Sequence, residues 1–310
     1  MPWTNVTDYK HPGRWGGAAD AAQRAASYCT DLERGQILYF NSIPFEFPKE
    51  DLEFLLSQKQ SSFKGHKNIS YRPSSDLLRG DDTESPEARQ RLQEIMRKYS
   101  SRVVEFVNQF LSPYAGKWKL DFASYRPIEE QNREASVHKR NDLMHVDAFP
   151  SRPTRGGRIL RVFTNINPTR GRVWEVTEPF DAIAKKYAKD AGLDQLTANT
   201  PGRVVFKTFA PIFRAVGVKG TDRSAYDRFM LRFHDYLKEN NEYQKSYPKE
   251  RIEFPPGSSW LVYTDTVPHA VLSGQYALEQ TFIVPLEAMV APQHAPIRVL
   301  EQMVGHGLVN

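Results

Sequence analysis

Beyond Pro113 the chain breaks into short runs of strand-forming residues punctuated by turn clusters, and this texture restricts the fold more than any other feature. The runs fall at 118–125, 143–149, 158–166, 172–176, 203–209, 260–263, 270–272 and 277–284. Several short strands divided by turns predict an antiparallel sheet that closes on itself or packs on a second one. Helical insertions at 179–191 and 226–239 interrupt the series, so the expected class is mainly β with flanking helices (α+β).

The N-terminal part reads differently. Ser85-Pro86-Glu87 has the cap and first-turn proline of a helix start, and Leu92, Ile95, Met96, Tyr99, Val103, Phe106, Val107 and Phe110 then keep a 3.6-residue period. Such a stripe packs on a core, so these aromatics are given no functional role. Upstream, 36–41 reads as a strand, 49–56 as a short helix and 58–83 as a loop-rich stretch. Residues 1–34 lack a firm period and are expected to form an irregular N-terminal extension or a weakly helical arm. Residues 35–310 are expected to form a single domain with helical insertions, a length that one elaborated β fold accommodates.

The most apolar stretch, from Thr281 to Pro292, contains Pro285 and Glu287, which excludes a spanning helix there. The opening residues have no basic region leading into an apolar one, so no export signal is expected. The one cysteine, Cys29, has no partner for an internal disulfide. A cytoplasmic protein is therefore expected. The net charge of +5 and the pI near 9.1 favour anionic partners. Between Ala148 and Trp174 there is no Asp or Glu, yet Arg152, Arg155, Arg158, Arg161, Arg170 and Arg172 all fall there.

Within the β region, Met144-His145-Val146-Asp147 places an imidazole and a carboxylate two residues apart. On an extended strand, residues i and i+2 share a face, so both can reach one ion. A distant second histidine would complete a 2-His-1-carboxylate set, the arrangement suited to non-haem Fe(II) that must also bind a co-substrate and O₂. His-x-Asp is short enough to arise by chance, so the third ligand needs its own argument. His11 lies in the extension, His66 in the loop-rich stretch, His234 in a predicted helix, and His294 and His306 in the tail. His269 differs: it follows the 260–263 strand and a turn-like segment and precedes another strand, where a barrel presents ligands. The alternative is a hydrogen-bonded structural His269 with Asp147 capping a turn.

The distal carboxylate of a 2-oxoglutarate co-substrate calls for a cation, and arginine offers a two-pronged match. In many such oxygenases an Arg or Lys follows the distal histidine by about ten to fourteen residues. Here the stretch from Ala270 to Val284 holds neither, and Gln280 is its amide nearest the usual place. Arg161 is the first choice instead. It would share a strand face with Phe163 and Asn165, and a charge amid Leu160, Val162 and Phe163 is costly without an anionic partner. Arg126, in Ala123-Ser124-Tyr125-Arg126-Pro127, is the second choice, with a surface arginine at a turn as its alternative.

The chain resembles the Kdo hydroxylases, oxygenases of the 2-oxoglutarate type that act on the Kdo sugar of Kdo-lipid A. The resemblance lies in FASYRP (122–127), NDLMHVDAFPSRPTRGGRILRVFTNINP (141–168), RVWEVTEPF (172–180) and the order of elements around His269. It implies a double-stranded β-helix (jelly-roll, cupin-like) core with iron at His145, Asp147 and His269. It also implies C3 hydroxylation of Kdo to Ko, with 2-oxoglutarate converted to succinate and CO₂. With such a substrate, Arg152, Arg155, Arg158 and Lys139 become candidates for holding its anionic groups. Those contacts would dock the enzyme peripherally on the inner leaflet of the bacterial inner membrane.

Three other readings fit the residues. One is a same-fold oxygenase acting on another substrate. Another is a non-catalytic β-barrel that binds anionic glycans through its arginines. A zinc hydrolase could use the same ligands but would want a general base besides Asp147. No nucleic-acid-binding module is recognisable, and the aromatics are not interleaved with basic residues.

Overall fold

The short runs pair as an eight-stranded sheet facing a three-stranded one. In chain order the strands are β1 (Trp3–Asn5), β2 (Ile37–Phe40), β3 (Ile69–Arg72), β4 (Leu77–Arg79), β5 (Lys119–Arg126), β6 (Arg158–Asn165), β7 (Arg172–Val176), β8 (Glu250–Phe254), β9 (Ser259–Tyr263), β10 (His269–Ser273) and β11 (Ala277–Val284). The larger sheet runs β1-β2-β9-β6-β11-β5-β3-β4 and the smaller β10-β7-β8. This computed structural model describes residues 2–9, 18–58, 68–82, 85–131, 135–197 and 223–309. The strand expected at 203–209 lies outside them.

Alternation along β6 sorts the core into two layers. Leu160 and Val162 face the helices, while Phe163 points between the sheets and meets Trp174 and Trp260 at 5.1 and 5.2 Å. Phe254 of the small sheet stacks on Trp260 of the large one at 3.9 Å. Two sheets closed over an aromatic interior make the double-stranded β-helix, or jelly roll, that the resemblance implied.

The helices are α1 (Ala18–Glu33), α2 (Lys49–Ser57), α3 (Pro86–Phe110), α4 (Phe180–Tyr187), α5 (Leu193–Thr197), α6 (Ala225–Glu239), α7 (Asn241–Ser246) and α8 (Pro296–Val304). α3 starts where expected, with Ser85 Oγ accepting from the Ala88 N–H. All eight residues of its periodic stripe are buried, each contributing about 1.5–3 kcal/mol if fully removed from water. Among the described residues no helix is long and apolar enough to cross a membrane.

Three local expectations need correction. The N-terminal segment, expected to be an irregular extension or a weakly helical arm, contains a 16-residue helix, α1, on which Ala25, Cys29 and Leu32 are fully buried. Its last residue, Glu33, accepts from Tyr114 Oη at 2.6 Å and from the backbone N–H of Val290 and Ala291. Alanines dominate α1, so its apolar stripe is faint in sequence. The loop-rich stretch carries the β3–β4 hairpin.

The run at 143–149 is not a strand, although it is held beside β10 by a single bridge between His145 and His269. Beyond the bridge its backbone is held by one bond from the Asp147 N–H to the Thr264 carbonyl and by side chains, not by a second strand. Gln244 takes both the N–H and the C=O of Met144, and His234 binds the Val146 carbonyl.

Candidate metal centre

The bridge that replaces the expected strand also assembles the site. His145 N–H donates to the His269 carbonyl at 3.1 Å and His269 N–H returns the bond at 2.9 Å, so the two residues face each other with ring centroids 4.7 Å apart. Two residues on, Asp147 N–H donates to the Thr264 carbonyl at 2.8 Å, which keeps Asp147 beside the same turn. One ligand atom from each of His145, Asp147 and His269 lies within 4.8 Å of the others.

Each imidazole is oriented by the backbone. Nδ1 of His145 donates to the Leu143 carbonyl at 2.7 Å and Nδ1 of His269 to the Val267 carbonyl at 2.9 Å. A carbonyl only accepts, so Nδ1 must carry the proton and Nε2 keeps its lone pair. Trp174 stacks on His269 at 4.9 Å, and His234 of α6 sets its edge against His145 at the same distance. Burial pushes both histidines below their ordinary pKa, so they are neutral, as metal ligation would require.

Asp147 has a divided carboxylate. Oδ1 faces His145 Nε2 at 3.7 Å, and Oδ2 is ion-paired with Arg161 Nη2 at 3.0 Å. Burial alone would raise its pKa, but the Arg161 guanidinium outweighs it and holds the group far below the usual carboxylate range. Buried neutral imidazoles and an ionised carboxylate, already gathered and oriented, fit a divalent iron with positions left open for other ligands.

A second buried cluster adjoins the first. Glu279 on β11 accepts from Arg161 Nη1 at 3.0 Å, from Ser124 at 2.9 Å, and from Arg126 Nη2 and Thr281. Arg172 of β7 comes to 3.7 Å from Glu130 and donates to the Gly274 carbonyl. Both arginines favoured by the sequence, Arg161 and Arg126, therefore point inward. Glu279 escapes the sequence reading, although an acidic residue inside the apolar run 277–284 carries the signal used for Arg161: a buried charge needs a partner. His234 escapes it too, because a helical histidine gives no local sign of what its ring will touch.

Burial opposes ionisation of Glu279, but Arg161 and then Arg126 outweigh it and bring its pKa from 4.5 down to about 2. A carboxyl with a depressed folded pKa adds stability above its unfolded pKa and loses it as pH falls through the folded one. The protein should thus lose about 3 kcal/mol from this group as pH falls from about 4.5 towards 2. The melting temperature of Glu279→Gln should vary less over that window than that of the parent. Equal slopes for the two proteins would contradict the assignment.

The structure keeps three sequence candidates away from this cluster. Gln280 follows Glu279 and so faces the opposite side of β11, where its amide donates to the Asp121 and Thr281 carbonyls. Asn165 gives its amide protons to the carbonyls of Arg170, Phe254 and Pro255, closing a turn. Arg158 is fully buried on the outer face of β6, bonded to Asp265 at 3.0 Å and to Thr266, with Tyr263 against its guanidinium. Arg152 is partly exposed, whereas Arg155 and Lys139 are exposed.

The family model of 3-deoxy-D-manno-oct-2-ulosonic acid (Kdo) hydroxylase matches residues 15–307. The apo structure of the Kdo hydroxylase KdoO, a non-heme Fe(II) alpha-ketoglutarate-dependent dioxygenase, is similar at 34% identity and a TM-score of 0.81. The match covers 100% of this chain and 98% of that one. KdoO in complex with alpha-ketoglutarate and Fe(III) matches with the same values. Its complex with succinate and Fe(III) matches at 32% identity with the same score and coverage. No curated protein matches the chain. A family match over nearly the whole length, a shared fold and an inward-facing histidine–carboxylate set agree, and the chain belongs to the Kdo hydroxylase family.

Proposed function

We propose that the chain hydroxylates C3 of the Kdo sugar of Kdo-lipid A to give Ko, with 2-oxoglutarate and O₂ consumed and succinate and CO₂ released. The observation that carries this reading is the convergence of His145, Asp147 and His269, with ligand atoms within 4.8 Å of one another. These three residues would hold Fe(II), which when bound supplies O₂ activation coupled to decarboxylation of the 2-oxo acid.

The chain's own groups supply orientation and a dry site. The carbonyls of Leu143 and Val267 lock the two imidazoles, Arg161 turns Asp147, and Trp174 packs over His269. The distal carboxylate of 2-oxoglutarate falls to the Arg161–Arg126 pair. The buried Nε of each arginine has no partner, but Arg161 has both Nη atoms committed to Asp147 and Glu279, whereas Arg126 commits Nη2 to Glu279 and its Nη1 reaches Glu130 only at 4.0 Å. Arg126 thus has more donor capacity for an incoming anion.

Exposed Arg155 and Lys139, with Arg152, would meet the anionic head group and seat the protein on the cytoplasmic face of the inner membrane. The test is mass spectrometry of Kdo-lipid A incubated with the protein, Fe(II), 2-oxoglutarate and O₂. One added oxygen, matched by succinate, is expected. Succinate release with no oxygenated glycolipid would transfer the activity to another substrate.

A further inference from the structure

A built arrangement at the mouth of the site surrounds Arg152. Its guanidinium lies between the rings of Phe122 and Phe149, 4.2 and 4.5 Å from their centroids. Its Nε donates to the buried carboxylate of Asp121 at 3.0 Å. Both faces and one edge are thereby occupied. The remaining Nη edge has no partner among the described residues, and the side chain is 37% exposed.

The backbone explains how consecutive residues Asp121 and Phe122 both reach Arg152. Gln280 pairs with Ala123 and Phe282 with Leu120, so β5 uses one residue more than β11 across this interval. A bulge of this kind breaks the alternation of faces and re-aims side chains. The stack continues in both directions. Arg72 lies 4.9 Å from the ring centroid of Phe122, and Arg161, the partner of Asp147, lies 5.6 Å from that of Phe149.

We infer that Arg152 is the specificity-determining oxyanion receptor of the mouth, taking a carboxylate or phosphate of the glycolipid along its free Nη edge. Phe149 separates it from Arg161, the partner of Asp147. A guanidinium stacked on both faces has little rotational freedom left, and a planar fork matches either oxyanion in two-pronged fashion. Asp121 acts as a positioning residue that fixes the plane. The inference rests on the glycolipid reading above.

The test compares Arg152→Met and Arg152→Lys with the parent, using Kdo-lipid A and a dephosphorylated form of it. Arg152→Met should raise KM for Kdo-lipid A by about tenfold or more. Its kcat and its KM for 2-oxoglutarate should stay near parental values, while its melting temperature should fall by a few degrees because Asp121 loses its cation. Arg152→Lys, which keeps the charge but not the fork, should fall between. If phosphate is the anion, the dephosphorylated substrate erases the difference between parent and Arg152→Met; if carboxylate, the difference persists.

An unchanged KM in a folded Arg152→Met protein would overturn the inference, as would an equal rise in KM for 2-oxoglutarate. Equilibrium binding of Kdo-lipid A, followed by tryptophan fluorescence, separates this inference from the hydroxylase reading. A parent that binds the glycolipid more tightly than Arg152→Met yet never oxygenates it would sustain the receptor and remove the hydroxylase reading.

Discussion

Replacing His269 by alanine is expected to lower succinate release from 2-oxoglutarate by about three orders of magnitude or more, since a metal centre contributes several kcal/mol to the barrier. The fold should survive. His269 joins the bridge to His145 through its backbone N–H and C=O, which alanine retains. What disappears is the Nε2 proposed to hold the metal, the stack on Trp174 and the bond to the Val267 carbonyl. The melting temperature should fall by only a few degrees, while iron retained after desalting should drop sharply. His145→Ala should behave alike. Turnover within tenfold of the parent, in a variant that no longer holds iron, would remove the histidines from the chemistry.

The largest effect on stability is expected at Arg158. Replacing it with methionine would leave Asp265 buried without its cation. Breaking a buried pair from one side costs about 3–5 kcal/mol, or a melting temperature lower by roughly 5–15 °C in a chain of this size. Removing Asp265 as well should recover much of that loss, because the penalty comes from the orphaned charge rather than from the missing bond. At a temperature where the single variant is folded, its KM for Kdo-lipid A should match the parent's, since Arg158 faces away from the site. A raised KM with an unchanged melting temperature would mean that the residue meets the substrate after all.

Two arginines of one basic run thus behave quite differently. Arg158 and Arg161 are three residues apart on β6, so they must lie on opposite faces. Strand alternation makes that separation legible in the sequence, yet alternation does not say which face is the interior. The answer depends on carboxylates far along the chain, Asp265 for one and Glu279 for the other. Gln280 shows the same limit. Its place after His269 points to the site, and one step of strand alternation turns it away.

Residues 143–149 read as a strand because of their apolar alternation, and the side chains of His145 and Asp147 do converge. The ladder that would make the segment a strand is missing, because Gln244 and His234, from helical segments about a hundred residues later, hold its backbone groups. α1 is hard to read for a related reason: its fully buried apolar stripe is short, Ala25, Cys29 and Leu32, and what marks it as part of the core is Glu33 bonded to Tyr114 and to the Val290–Ala291 backbone.

The sequence by itself determined the β-rich class, the long amphipathic α3, the His-x-Asp pair and the position of His269 at a strand mouth. Each of these follows from periodicities and turn chemistry that act over a few residues. Only the tertiary structure decided which cations enter the interior, that Glu279 ties Arg161 to Arg126, and that a bulge in β5 turns Asp121 and Phe122 together towards Arg152. A buried charge is stable only beside its partner, and those partners are chosen by the packing of the sheets, not by neighbours in the chain.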